Sequence, residues 1–219
     1  MMTIPRRLAA LLLVPTLASA QTVLATPASS TLLGVTATSG FEFAVGQTFR
    51  APTIDTRLDQ LSFWVRSETA GTFTAHVFAW DVALGRATGP SLFSSTPQEL
   101  PTGNAPTRVD VGTGGVELGA GQPFVAFLSY GAEGNTARMV TWRVHATDVY
   151  ADGRAVFRSS DLGDPTWTRL SWSTLGDTDL QFAFAFNSAP NVVPEPSTYA
   201  LMATGLAGLA GVAHRRRRV

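Results

Sequence analysis

Leu180–Phe186 reads Leu-Gln-Phe-Ala-Phe-Ala-Phe. Leu180, Phe182, Phe184 and Phe186 fall on one phase of a two-residue period, and Gln181, Ala183 and Ala185 on the other. On a helix these four large side chains would wind around every side. On a strand they share one face. The stretch therefore predicts a half-buried β-strand with an aromatic inner face.

The same period recurs outward from it. In Leu58–Arg66, Leu61, Phe63 and Val65 oppose Gln60, Ser62, Trp64 and Arg66. In Thr72–Trp80, Phe73, Ala75, Val77 and Ala79 oppose Thr72, Thr74, His76, Phe78 and Trp80. Arg138–Ala146 sets Val140, Trp142 and Val144 against Met139, Thr141, Arg143 and His145. Pro123–Tyr130, PFVAFLSY, is apolar on both phases and is expected at the centre of a sheet. Weaker strands are expected near Phe41–Phe49, Ser91–Ser95, Thr107–Val111 and Ala155–Arg158. Turn signals separate them: Ala70-Gly71, Leu84-Gly85, Gly89-Pro90, Gly112–Gly115, Gly119–Gly121, Gly131–Asn135, Asp152-Gly153 and Gly163–Pro165. Residues 21–189 show no helical stripe of useful length and no fixed repeat. The expected fold is all-β, a single antiparallel β-sandwich of jelly-roll type.

Composition narrows the chemistry. Among 219 residues there is no cysteine, which excludes thiol catalysis and Cys-ligated metal. A core of this size does not need disulfides. Every basic residue is arginine, and formal net charge is zero. That balance hides an asymmetry. Arg6, Arg7, Arg215, Arg216, Arg217 and Arg218 sit at the termini, so ten arginines face fifteen acids between residues 21 and 189. With no basic patch in an acidic domain, nucleic acid is not an expected partner.

Both ends read as addresses. Arg6 and Arg7 precede an apolar run from Leu8 to Leu17, and Ala18-Ser19-Ala20 is a small-residue cleavage site. Residues 1–20 are expected to be a signal peptide, with the mature chain starting at Gln21. At the other end, residues 190–198 form an extended linker. Tyr199–Ala213 is an uncharged run of fifteen residues, and residues 214–219 form a basic tail. As a helix the run spans roughly 22 Å, short of a bilayer core of about 30 Å. A transmembrane helix is nevertheless expected, because the run comes after a Pro-rich break and ends in four arginines, which fix the tail on the cytoplasmic side.

Val192–Val219, VVPEPSTYALMATGLAGLAGVAHRRRRV, resembles the PEP-CTERM sorting tail of exported proteins of Gram-negative bacteria. The resemblance implies that exosortase, a membrane peptidase or transpeptidase, recognises Pro194, Glu195 and Pro196 and removes the residues C-terminal to them. It implies an inner-membrane precursor that ends at the cell surface or in the extracellular matrix. Gly46-Gln47-Thr48-Phe49, Leu61-Ser62-Phe63, His76–Asp81, Ala87–Pro90 and Gly121–Leu128 are similar to the domain that many PEP-CTERM proteins of unassigned role carry. That likeness implies a lectin-like or carbohydrate-binding-module-like sandwich.

Within residues 21–189 no GxSxG elbow, HExxH or P-loop is present, and no enzyme is expected. His76 and His145 are read as solvated or satisfied strand histidines. Gly112–Gly121, GTGGVELGAG, joins strands and is read as a turn rather than a phosphate cradle. Asp161 and Asp164, and Asp177 and Asp179, are candidate calcium ligands, although paired acids in loops are more often turn residues. No other cofactor is expected. Trp64 and Trp80, with Phe78 between them in sequence, lie on the outward phase of neighbouring strands. They are candidate stacking platforms for sugar rings, with Arg66 or Asp81 bonding hydroxyls. Trp167 and Trp172 lie in or near a loop. The alternative is that the aromatic face packs beneath the second sheet or a long loop. Two functions stay open: a non-catalytic cell-surface or matrix protein, and a polysaccharide-binding module assisted by calcium.

Overall fold

In the computed structural model, residues 21–38, 40–131, 138–161, 163, 166–188, 201 and 204–205 are described. Residues 1–20, Asp164, Pro194, Glu195, Pro196 and Arg215–Arg218 lie outside them, as does most of Tyr199–Ala213. No helix among the described residues is long and apolar enough to cross a membrane. The chain divides into two units, Met1–Ser188 and Ala189–Val219. In the second, Leu201, Thr204 and Gly205 are helical, and the Thr204 hydroxyl donates to the Leu201 carbonyl.

The first unit is built from β1 (Thr22–Ala25), β2 (Leu32–Ala37), β3 (Phe41–Arg50), β4 (Arg57–Ser67), β5 (Thr72–Asp81), β6 (Arg86–Ser94) and β7 (Gln98–Glu99). It continues with β8 (Thr107–Glu117), β9 (Pro123–Gly131), β10 (Arg138–His145), β11 (Ala155–Asp161), β12 (Ser173–Thr174), β13 (Asp179–Leu180) and β14 (Phe182–Asn187). One sheet runs β1-β14-β4-β10-β13, with β2 on β10 and β8 on β4. The other runs β12-β11-β3-β9-β5-β6, with β7 on β5. All paired strands are antiparallel. The chain changes sheet at each step from β3 to β4 to β5 and again from β8 through β11. The two-residue period is therefore tied to a common interior from both sides.

That interior is aromatic. Phe182, Phe184 and Phe186 are fully buried, with Gln181 closing the start of their strand. Phe184 meets Phe49 of the opposite sheet edge-on at 4.9 Å and Phe63 at 5.5 Å. Phe63 in turn meets Trp142 at 5.7 Å. The strands expected from sequence all form, except that Leu180–Phe186 is broken at Gln181 into β13, paired with β10, and β14, paired with β4. Gln181, expected on the outward phase, is buried and accepts the Ser29 N–H. Three further details differ. Thr22–Ala25 and Leu32–Ala37 are added edge pieces whose alternation is half-exposed and short. Gly112–Gly115 is not a turn but part of β8, where the register against β4 shifts between Leu58 and Gln60. Gly114 and Gly115 take φ of 73° and 88°, which a bulge requires and other residues resist. Gly89-Pro90 likewise lies inside β6, within the register shift opposite Val77 and Ala79.

Candidate functional site

β9 lies between β3 and β5, so both of its phases need cover. Phe124, Ala126, Leu128 and Tyr130 face the common core. Val125 and Phe127 belong to a second apolar cluster with Ala44, Ala87, Val156, Trp167 and Trp172, against which Phe78 and Trp80 pack. The outer face of this sheet is thus roofed by the segment around Trp167–Trp172 rather than by another sheet. Trp167 lies 4.8 Å from the Phe127 ring, and Trp172 lies 4.9 Å from it. Trp172 also meets Trp80 edge-on at 6.0 Å.

Polar contacts fasten the later part of this strap. The Trp172 N–H donates to the Gly85 carbonyl at 2.7 Å, and the Ser171 hydroxyl to the Leu84 carbonyl at 2.8 Å. Arg158 donates to the Ser171 carbonyl, and Arg86 to that of Arg169. The Trp172 indole N–H donates to the Trp167 carbonyl. Gly46 of β3 makes the tight floor possible, since a Cβ there would collide with the Phe127 Cβ and the Ala126 carbonyl.

Beside the strap are two openings that share no lining residue. The larger, ≈ 400 Å³, is a cleft lined by Trp80, Arg50, Arg154, Asp148, Asp152 and Asp177 among others. The smaller, ≈ 330 Å³, is lined by Glu42, His76, Phe78, Ser94, Ser129 and Trp167, with Thr74, Gly89 and Thr168. In it the His76 ring stacks on Phe127 at 4.9 Å and meets Trp167 edge-on at 5.3 Å. Nδ1 is 2.9 Å from Ser94 Oγ and Nε2 is 3.1 Å from Ser129 Oγ.

The direction of these bonds is set by their far end. The Ser91 hydroxyl donates to the Phe93 carbonyl, which can only accept. Ser91 Oγ also lies 2.9 Å from Ser94 Oγ, so Ser94 must donate to it. Ser94 then accepts from His76 Nδ1–H, and His76 Nε2 accepts from the Ser129 hydroxyl. The relay needs a neutral imidazole. Burial supplies it, pushing His76 from 6.5 down to about 4. The outward phase of β5 carried the signal for this pocket, three ring-bearing residues where polar ones are usual. The roof that makes a pocket of it was not readable.

His76 also makes stability depend on pH. In the folded protein it stays neutral above about pH 4, whereas in the unfolded chain it takes a proton below about 6.5. Between these values the unfolded state binds more protons, so stability is lost as pH falls from 6.5 to 4 and is fully present above 6.5. The expected loss is about 2–3 kcal/mol at about 1.4 kcal/mol per pH unit. Urea melts from pH 7.5 to 4 should show it, and His76→Gln should flatten that part of the profile.

The sequence-predicted residues are dispersed. Trp64 is on β4 and Trp80 on β5, which belong to different sheets, so the two outward rings sit on opposite faces and cannot form one platform. Trp64 is half-buried beneath Arg108, whose guanidinium carbon lies 5.4 Å from its ring centre. Arg108, Gln60 and Ser62 all donate to Asp110. Burial acts to raise that carboxyl, but the three donors and the Arg108 charge outweigh it and hold it below the usual range. His145 Nε2 lies 3.0 Å from the Pro27 carbonyl, a satisfied strand histidine.

The calcium reading does not survive for Asp179. It is 1% exposed, and its oxygens already accept from Gln47 Nε2 at 2.7 Å and from the Val149 and Tyr150 N–H groups at 2.8 and 2.9 Å. Asp177 is exposed in the cleft, and Asp161 is exposed at the end of β11. Among the described residues no cluster of three or more His, Cys, Asp or Glu is placed to hold a metal ion.

No curated protein and no solved structure matches the chain. Residues 192–218 match the family model of the PEP-CTERM protein-sorting motif. The match spans Pro194, Glu195, Pro196 and Arg215–Arg218, and the motif implies an exported, membrane-anchored precursor that exosortase processes. The chain therefore carries a PEP-CTERM sorting signal C-terminal to its β-sandwich.

Proposed function

We propose that this is an exported, non-catalytic protein of the Gram-negative cell surface or extracellular matrix. In this reading Met1–Ala20 is removed on export. Tyr199–Ala213 then holds the precursor in the inner membrane with Arg215–Arg218 inside, and exosortase cuts at Pro194-Glu195-Pro196. The observation that carries it is the sorting motif at residues 192–218, placed directly after the sandwich unit in sequence. Two prolines fix an extended backbone at low entropic cost, which suits recognition by a peptidase. The non-catalytic part is supported by the engagement of reactive groups. Asp179 is saturated by three donors. Ser129 faces His76, but its backbone lies in the ladders to both β3 and β5, so its own N–H is not free to hold an oxyanion.

The test is the mature protein's two ends. Mass spectrometry should find Gln21 first, and a C-terminus near Pro196 that reverts to full length when the host's exosortase is deleted. Identical C-termini in both strains would refute the sorting reading.

A second reading is supported by the Trp80 cleft: a polysaccharide-binding module in a lectin- or carbohydrate-binding-module-like sandwich. An aromatic wall with arginines and carboxylates is the chemistry that stacks on a pyranose and bonds its hydroxyls. On a glycan array, Trp80→Ala should abolish binding while Trp64→Ala, on the opposite face, leaves it intact. The reverse pattern would remove the cleft from consideration.

A further inference from the structure

We propose that the His76 pocket binds a pyranose bearing a protonated amine, the hexosamine unit of a cationic polysaccharide. Three independent features of the pocket converge on that class.

The first is size and wall. At ≈ 330 Å³ the pocket is at the small end of ligand sites and suits one sugar ring. Phe78 and Trp167 supply aromatic walls, on which the C–H face of a pyranose packs. The second is the sense of the hydrogen bonds. Because the relay runs from Ser129 through His76 and Ser94 to Ser91, the Ser129 proton is committed to His76. Ser129 Oγ, in the lining, then has no proton left to give a ligand and can only accept. The pocket asks for a donor at that point. The third is charge. Glu42 is the charged residue of the lining, and the imidazole that shares the lining is neutral. An ammonium group meets the carboxylate as a charge-assisted donor, whereas a uronate would meet like charge. The acidic surplus of residues 21–189 adds long-range attraction of the same sign. An acetylated amine keeps the ring and one N–H but loses the charge, so it should bind more weakly.

This site is separate from the Trp80 cleft and does not depend on it, because no lining residue is common to both. The experiment titrates the full chain, purified in detergent, with tetraglucosamine, tetra-N-acetylglucosamine and tetragalacturonate at low salt. Tetraglucosamine should bind at least about tenfold tighter than the acetylated form, a difference of about 1.4 kcal/mol, and tetragalacturonate should not bind. Glu42→Gln, which keeps the shape and removes the charge, should weaken tetraglucosamine about tenfold. Asp177→Asn makes the same charge change in the Trp80 cleft and should leave it unchanged. No binding of tetraglucosamine, equal binding of the acetylated form, or equal losses in the two variants would each overturn the proposal.

Discussion

Phe184→Ala is expected to destabilise the sandwich by about 3–5 kcal/mol, a large share of a typical total of about 5–15. Phe184 is 0% exposed and sits where the two sheets meet. Its ring lies 4.9 Å from Phe49, 5.5 Å from Phe63 and 4.6 Å from Phe182. Alanine removes the ring from three aromatic partners that are themselves held by their strands, so the void cannot collapse cheaply. Trp64→Ala is the matched control. That ring is larger, but it is half-buried on an outer face under a single arginine. Its loss should stay well under that of Phe184. Guanidinium melts give both numbers through the midpoint at unchanged slope. Equal losses would mean that Trp64 is part of the core and that the assignment of faces is wrong.

That contrast marks what a period of two can reveal. Leu61, Phe63 and Val65, Phe73, Ala75, Val77 and Ala79, and Phe182, Phe184 and Phe186 were legible as inward residues, because a strand with one solvated face writes its orientation into alternate positions. Leu58 was not: it is fully buried on the phase of Gln60, because the register against β8 shifts between the two. Alternation says nothing about which strand pairs with which. Trp64 and Trp80 share the outward phase of strands adjacent in sequence, yet the chain changes sheet between them. Glycine misled for a related reason. In Gly112–Gly115 it relieves a bulge inside β8, and a bulge and a turn draw on the same freedom at positive φ. The smaller pocket was hidden because its roof comes from the strap around Trp167–Trp172, far along the chain from His76. Only the pairing of β9 between β3 and β5 puts Phe127 beneath both tryptophans. Asp179 was legible as an acid in a loop-like context, and its burial was not, since its partners lie on β3 and in the segment before β11.

Those partners make Asp179→Ala the second large effect, expected at about 3–5 kcal/mol at pH 7. The carboxylate is interior, 1% exposed, and ties β13 of one sheet to Gln47 of β3 in the other. Gln47 is itself fully buried and returns the tie by accepting the Leu180 N–H at 2.9 Å. The second carboxylate oxygen holds the N–H groups of Val149 and Tyr150. Alanine strands all three donors, and a buried donor left without an acceptor costs about 1–3 kcal/mol. Charge-assisted bonds of this kind are about twice as strong as neutral ones. Asp179→Asn separates the two contributions. It preserves volume and one acceptor, but sets an NH₂ group against either Gln47 or the two backbone N–H groups, so it should recover little. Asp177→Ala, two residues away and exposed, should stay within about 0.5 kcal/mol of the parent. Added calcium should move none of the midpoints if the Asp179 oxygens are closed to a cation as the bonding implies. A full rescue by asparagine would show that shape alone matters at this position. A calcium-dependent rise in the parent that is lost in Asp179→Asn would show that the carboxylate opens to a metal in solution.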